Sequence, residues 1–129
     1  MKKLNRLVLG TTILVTLTAC GATKQESNKT VESTQVDSTV NIVLQEDHKE
    51  FDSKNITVTK DEVLYDVLKD NYDIEDTKGF ITSINGHKQN EKENKYWLYT
   101  SNGKQAEKGV QETKVSDGDD IVFDLSKLD

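Results

Sequence analysis

Residues 96–103 read YWLYTSNG and predict the strand and turn around which the domain is built. Aromatic and β-branched side chains are enriched in strands. Asn102-Gly103 favours a tight hairpin because both residues tolerate positive φ. Lys104 to Ala106 follow this turn and are expected to pair back as a short strand. The segment therefore predicts a β-hairpin, and its first strand carries the only tryptophan of the chain.

Apolar residues that alternate with other residues predict further strands on both sides of this hairpin. The predicted strands are centred on Val40–Leu44, Ile56–Val58, Phe80–Ile84 and Ile121–Leu125. A second turn is expected at Asn85-Gly86, which closes the third of these strands. The polar residues from Glu46 to Lys54 are expected to form a loop.

One helix is predicted between the second and third strands. Thr59-Lys60-Asp61-Glu62 fits a capping box, in which the Thr hydroxyl and the Glu carboxylate bind free backbone N–H groups. Val63, Leu64, Val67 and Leu68 then share one helical face, over about 11 residues. The order ββαβββ predicts an α+β fold, in which a mixed sheet packs on one helix.

The first 20 residues have the features of a secretory signal. Lys2, Lys3 and Arg6 precede an apolar run of about 13 residues, which is shorter than the roughly 20 that a spanning helix needs. Leu17-Thr18-Ala19-Cys20 resembles the lipobox of bacterial lipoproteins, whose cysteine receives a diacylglyceryl group. We therefore expect residues 1–19 to be a lipoprotein signal peptide and Cys20 to be the lipid attachment site. The alternatives are an uncleaved signal and a free thiol at Cys20.

Cleavage before Cys20 leaves an acidic chain with a polar start. Without Lys2, Lys3 and Arg6, 14 basic side chains face 23 acidic ones, so the formal net charge falls from −6 to −9. This balance argues against nucleic acid as a partner, because nucleic acid is held mainly by Lys and Arg. Residues 20–39 are Ser/Thr-rich and are expected to form a flexible, lipid-anchored tether with a span of about 25 Å. The expected location is the extracytoplasmic face of the cell membrane.

Several motifs of the remaining domain, residues 40–129, resemble one known family. These motifs are ITSING (81–86), YWLY (96–99), Asn102-Gly103-Lys104, Gly109-Val110 and Gly118-Asp119. They resemble the transcobalamin C-terminal-like domains, the soluble-ligand-binding branch of the β-grasp fold. The resemblance implies a β-grasp domain and a small soluble ligand, cobalamin or another corrinoid. The cobalamin carriers add a helical barrel on the other side of the vitamin, so this domain is expected to supply half of such a clamp.

Tyr96, Trp97, Tyr99 and Asn102 are the candidate ligand-binding residues. Alternation places Tyr96 on one face of the strand and Trp97 and Tyr99 on the other, and a single helix covers only one face of a sheet. Exposed aromatic side chains mark binding surfaces. Two structural alternatives remain open: Trp97 fills the core of a small domain, and Asn102 serves only the hairpin turn.

No catalytic residue and no metal site are predicted. His48 and His87 are the only histidines, and once Cys20 is modified no cysteine remains to join them in a zinc site. The residues Asp117 to Asp120 lack the alternating ligands of a calcium loop and predict a turn. The sequence therefore favours a non-enzymatic lipoprotein that binds a small ligand and works with a transporter or receptor component. The alternative is a protein-interaction or adhesion module on the cell surface.

Overall fold

The computed structural model describes residues 37–129, which form an α+β fold with one α-helix and two β-sheets. The helix α1 spans Leu64–Asn71, and a 3₁₀ turn spans Glu91–Glu93. The strands are β1 (Ser38–Glu46), β2 (Lys49–Val58), β3 (Ile74–Thr77), β4 (Phe80–Ile84), β5 (His87–Lys88), β6 (Lys95–Ser101), β7 (Lys104–Gln105) and β8 (Asp120–Lys127).

The larger sheet is mixed, as predicted. Its strand order is β2-β1-β8-β6-β7, and only the central pair β1 and β8 runs parallel. In that pair Ile42 lies opposite Ile121 and Leu44 lies opposite Phe123, so the alternating apolar residues of both strands share one face. The predicted hairpin at Asn102-Gly103 is confirmed, because β7 pairs antiparallel with the end of β6.

The hydrophobic core lies between this apolar face and α1. Leu64, Val67 and Leu68 of the helix are buried, as the helical spacing predicted. They share one core cluster with the inward side chains of the sheet, which include Val40, Ile42, Leu44, Ile121 and Phe123. Burying an aliphatic or aromatic side chain of this size contributes about 1.5–3 kcal/mol. We call the side of the sheet that packs on α1 the helix face, and the opposite side the outer face.

The helix is shorter than the predicted 11 residues. Glu62 does bind Thr59, whose backbone N–H donates to the carboxylate over 2.8 Å. However, Asp61 adopts a left-handed backbone conformation (φ 63°), so this motif closes a turn before the helix and does not cap it. The first helical N–H groups instead donate to the loop before β8: Leu64 donates to Thr113 and Tyr65 to Val110.

The predicted polar loop from Glu46 to Lys54 is wrong, because β2 already begins at Lys49. Only Asp47 and His48 form the turn between β1 and β2, both with positive φ. The pairing of β1 with β2 shifts after Leu44, which leaves Phe51 as the extra residue of a β-bulge. The segment contains many charged residues because β2 is an edge strand, where charge opposes unwanted pairing with other chains.

The smaller sheet has the order β3-β4-β5. The strand Phe80–Ile84 and the turn at Asn85-Gly86, where both residues have positive φ, confirm the prediction. The strand β3 was not predicted, because three of its four residues are exposed and carry no apolar alternation.

The predicted signal peptide (1–19), the lipid attachment site Cys20 and most of the tether (20–39) lie outside the described residues. The first strand begins at Ser38, two residues before the predicted start of the domain. Within residues 37–129, no helix combines the length and the apolar character needed to cross a membrane.

Candidate functional site

The strand β6 distributes its aromatic side chains over both faces of the larger sheet. Trp97 and Tyr99 lie on the helix face and pack against the core cluster. Tyr96 and Leu98 alternate with them and lie on the outer face, opposite Ser126 and Asp124 of β8. All four side chains are half-buried. The four aliphatic and aromatic residues therefore belong to two separate surfaces.

Tyr99 holds the long loop that precedes β8. Its ring stacks on Phe123, with ring centroids 5.0 Å apart. Its hydroxyl donates to the Lys108 carbonyl over 2.6 Å and lies 2.8 Å from Thr113 Oγ1. Both polar positions of the phenol are thus used within the protein, and the contacts of Tyr99 are structural.

Asn102 joins the β6–β7 hairpin to the turn before β8. Its backbone is left-handed (φ 52°). Its side-chain Nδ2 donates to Asp119 Oδ1 over 2.9 Å, and its Oδ1 accepts from the Asp120 backbone N–H over 2.9 Å. The amide group is therefore engaged in hydrogen bonds that fix two neighbouring turns.

Trp97 belongs to an aromatic cluster that we define as Phe51, His87 and Trp97. The indole N–H donates to the His87 carbonyl over 2.9 Å. The Phe51 ring stacks on the His87 ring at a centroid distance of 4.0 Å and meets Trp97 edge-on at 6.4 Å. Phe51 is 37% exposed. Sequence reasoning missed Phe51 and His87, which reach Trp97 from a bulge and a two-residue strand that carry no apolar pattern.

A charged cluster lies beside the aromatic cluster. The buried Lys95 places its Nζ 2.8 Å from Glu46 Oε1 and 2.8 Å from Asp47 Oδ2, and His87 Nδ1 lies 2.8 Å from Glu46 Oε2. Hydrogen bonds from Lys95 lower the pKa of both carboxyl groups, with His87 adding to the effect at Glu46. The same contacts raise the pKa of Lys95. These groups satisfy one another and tie β6 to the β1–β2 turn.

A groove of about 600 Å³ lies on the outer face. Pockets that hold small molecules typically measure about 300–1,000 Å³. We call it the outer-face groove. Its lining residues come from four parts of the domain. They are Leu98, Tyr99 and Thr100 of β6; Val122, Asp124 and Ser126 of β8; Gln45, Asp47 and His48 around the β1–β2 turn; and Gln105 with the C-terminal residues 127–129.

The groove combines apolar and polar groups. Leu98 lies opposite Asp124 and Val122 lies opposite Thr100, so Leu98 and Val122 are diagonal to each other across the β6–β8 pair and supply apolar surface. His48 and Asp124 supply the polar end: Asp124 Oδ2 lies 2.5 Å from His48 Nδ1, and Asp124 Oδ1 accepts from the His48 backbone N–H over 3.2 Å. The His48 side chain is 82% exposed, whereas that of Asp124 is only 15% exposed. The carboxylate thus holds one imidazole nitrogen and leaves the other towards solvent.

Metal-binding chemistry is limited in the part of the chain that the structure describes. Among residues 37–129, no three His, Cys, Asp or Glu side chains lie close enough together to hold a metal ion. The two histidines are on different faces, and each pairs through Nδ1 with one carboxylate.

Several solved structures are similar to this chain, including the following two. One is haptocorrin, of the transcobalamin family, in complex with Cbi: the TM-score is 0.62 at 22% identity, and the match covers 72% of this chain and 26% of haptocorrin. The other is a proposed metal-binding protein from Ruminococcus gnavus ATCC 29149: the TM-score is 0.58 at 20% identity, and the match covers 72% of this chain and all of that protein. At these identities the similarity shows a shared fold, which confirms the expected transcobalamin-like domain at the level of fold.

The sequence itself matches one family model. No curated protein sequence matches this chain. The model of the domain of unknown function DUF4430 matches residues 61–127, from the turn before α1 to the end of β8. This match includes more than half of the chain, and the protein therefore belongs to the DUF4430 family.

Proposed function

We propose that this protein is a lipid-anchored, extracytoplasmic binding protein that holds a small soluble ligand in the outer-face groove. The observation that carries the proposal is the groove itself, about 600 Å³ in volume, with Leu98 and Val122 as apolar surface and the His48–Asp124 pair as its polar end. Apolar pockets with a few convergent polar groups are the usual form of small-molecule sites. The fold shared with haptocorrin, solved in complex with Cbi, supports a corrinoid as the ligand class.

The chemistry of the groove suits a flat ring with polar substituents. Leu98 and Val122 offer an apolar surface to a ring face, while Gln45, Thr100 and Gln105 offer amide and hydroxyl groups at the margins. Corrinoids carry amide side chains around a planar macrocycle, and each buried amide needs a hydrogen-bond partner. The donor and acceptor types that line the groove therefore fit this class of ligand.

The groove is partly open to solvent, so this domain leaves part of a bound ligand uncovered. The match covers 26% of haptocorrin, so most of that protein has no counterpart in the matched part of this chain. We therefore propose that a transporter or receptor component completes the site. Binding by this chain alone is expected to be weaker than binding by the pair, because less ligand surface is removed from water.

Thermal unfolding of the full-length chain in detergent tests the ligand proposal. Aquacobinamide at 100 times its dissociation constant is expected to stabilise the parent by about 2.7 kcal/mol and to raise its Tm. Leu98→Asp places a charge in the groove and is expected to abolish this rise. Trp97→Phe, a change on the helix face, is the matched control and should retain it. The proposal fails if a panel of corrinoids and haem gives no rise, or if Leu98→Asp leaves the rise unchanged.

The membrane anchor is proposed from Leu17-Thr18-Ala19-Cys20 and needs a separate test. Metabolic labelling with a palmitate analogue should tag the parent and not Cys20→Ala. Cell fractionation should place the parent in the membrane and release the variant. Equal labelling of both chains, or a parent found in the cytosol, would contradict the anchor and leave the ligand proposal untouched.

A protein-interaction module is the second candidate function. It is favoured by β2, a ten-residue strand at the edge of the sheet, and by the exposed Phe51 at its bulge. An extended segment of another chain can add to such an edge. A photo-crosslinker at Ser53 would then capture a surface protein, one at Leu98 would not, and no small molecule would raise the Tm. Capture at position 98 instead would support a partner that covers the groove.

A further inference from the structure

We infer that His48 supplies an axial ligand, through Nε2, to a metal ion that reaches the outer-face groove already held by a planar macrocycle. This inference deepens the proposed function and rests on it, because it concerns the same groove. The ligand class is a metal ion bound by the donor atoms of a planar ring, with an axial coordination position free.

The first argument is the geometry of His48. This residue lies in the two-residue turn between β1 and β2, where its positive φ (64°) is one that most side chains avoid. Asp124 holds it at two points, Nδ1 and the backbone N–H. Metal-binding histidines usually donate their other ring N–H to a carboxylate, which fixes the tautomer and turns the free nitrogen towards the metal. His48 has this arrangement at the groove, with its side chain 82% exposed.

The second argument comes from the number of donors. A bare zinc ion needs three or four protein ligands. Within residues 37–129 no group of three such side chains exists, so the groove does not offer a site for a free ion of that kind. A metal ion in a macrocycle is already bound by the donor atoms of the ring, so it needs only one donor atom from the protein. A single imidazole beside the apolar Leu98 and Val122 suits such a ligand.

His87 provides an internal comparison. It too pairs through Nδ1 with a carboxylate, that of Glu46. However, the Phe51 ring covers one face of its imidazole at 4.0 Å, and its side chain is only 36% exposed. It lies on the helix face and does not line the groove. The two histidines therefore share one hydrogen-bond arrangement and differ in access, which makes His87 the matched control.

The coordination step is a ligand exchange. The lone pair of His48 Nε2 forms a bond to the metal, and the water that held the axial position leaves. No electron is transferred, and the Nδ1 proton stays on the side of Asp124. In this scheme Asp124 is a positioning residue, because it acts on the metal only through His48.

Absorption spectroscopy of the full-length chain in detergent tests the inference, with aquacobinamide and haemin as probes in separate titrations. Replacement of axial water by imidazole moves the visible bands of cobinamide to longer wavelength and changes the haemin spectrum in its own way. We expect this change with at least one probe for the parent and for His87→Ala. We expect it to disappear for His48→Ala.

Equilibrium dialysis of the same samples measures binding in the groove separately from axial coordination by His48. Binding that persists in the parent without a spectral change would overturn axial coordination and keep the groove as the binding site. An absence of binding with both probes would overturn both. A spectral change that survives in His48→Ala, or that disappears only in His87→Ala, would assign the metal ligand elsewhere.

The role of Asp124 is tested by Asp124→Asn. Loss of a carboxylate behind a metal-binding histidine typically weakens metal affinity about 10–100-fold. We expect a weakening in this range, with the saturated spectrum still that of an imidazole-bound metal, and recovery in Asp124→Glu. A purely structural role would change the melting temperature without moving the affinity, and that result would overturn the positioning role.

Discussion

The indole nitrogen of Trp97 donates a 2.9 Å hydrogen bond to the carbonyl oxygen of His87. Trp97 lies in β6 of the larger sheet and His87 in β5 of the smaller one, so this bond joins the two sheets. It also directs the indole to the helix face, away from the outer-face groove. The tryptophan and the groove are therefore separate parts of the molecule, and substitutions can address them one at a time.

Trp97→Phe should lower stability without changing ligand binding. The variant keeps an aromatic ring against the core but loses the hydrogen bond to the His87 carbonyl, which we expect to cost about 1 kcal/mol in the free energy of unfolding. Urea denaturation measures this difference. Tyr96→Phe, on the neighbouring outward position, is the control and should change stability by less than about 0.5 kcal/mol. A Trp97→Phe variant with parental stability and no ligand binding would place the ligand on the helix face.

Tyr99→Phe should loosen the loop before β8. The ring can still stack on Phe123, while the hydrogen bonds to Lys108 and Thr113 are lost. We expect a loss of about 1–2 kcal/mol and faster hydrogen exchange at residues 106–115. If exchange in this loop stayed at the parental rate, the phenol would not be its anchor.

Two substitutions at Asn102 should separate the contributions of its backbone conformation and its side chain to the free energy of unfolding. Asn102→Gly removes the hydrogen bonds to Asp119 and Asp120 but tolerates the φ of 52°. Asn102→Ala removes the same bonds and adds left-handed backbone strain of about 1–2 kcal/mol. We therefore expect the alanine variant to be less stable than the glycine variant by about that amount in thermal or urea unfolding. Equal stabilities would mean that the hairpin relaxes to another turn.

Lys95 should make stability depend on pH at both ends of the range. Hydrogen bonds from Lys95 lower the pKa of Glu46 and Asp47 below their ordinary values of 4.5 and 3.8. Their contribution is therefore complete above about pH 4.5 and is lost as the pH falls through the lower folded values. The pKa of Lys95 is raised above 10.5, so its contribution is lost as the pH rises through that higher value.

Lys95→Met is expected to flatten this dependence. The comparison is the free energy of unfolding at pH 7 minus that at pH 3, measured in urea for the parent and the variant. The difference should be smaller for Lys95→Met. Lys88→Met breaks the exposed pair with Glu75 and serves as the control, since exposed pairs contribute little. A parental pH profile in Lys95→Met would show that the charged cluster does not set the acid limit.

The sequence predicted those parts of the fold in which local pattern and burial agree. The alternating residues of β1 and β8, the apolar stripe of α1 and the two Asn-Gly turns all lie where the pattern placed them. In each case the same residues that create the pattern also fill the core or close the turn. Local sequence is sufficient evidence for such elements.

The missed elements depend on contacts between distant segments. The first half of β2 is polar and becomes a strand only because it pairs with β1 across a two-residue turn. The helix starts later than predicted because Asp61 has a left-handed backbone conformation. The first N–H groups of the helix donate to the carbonyls of Val110 and Thr113 in the loop before β8. A short stretch of sequence does not reveal that β1 will pair with β2, or that the loop before β8 will accept hydrogen bonds from the start of the helix.

The candidate site was predictable only in part, for the same reason. Alternation separated Tyr96 from Trp97 and Tyr99 but did not state which face the helix covers. The phenol of Tyr99 and the amide of Asn102 are used by the loop and turn before β8, which are distant in sequence. The groove is formed mainly by Leu98, Val122 and the His48–Asp124 pair, and their proximity follows from the central position of β8.

Chemical-shift mapping tests the central claim most directly. Aquacobinamide would be titrated into the isotope-labelled full-length chain in detergent, and the backbone amides of residues 37–129 followed by NMR. We predict that the largest changes occur at His48, Leu98, Val122 and Asp124, with small changes at Phe51 and Trp97. Changes centred on Phe51, His87 and Trp97, or no saturable change at any residue, would contradict a ligand site in the outer-face groove.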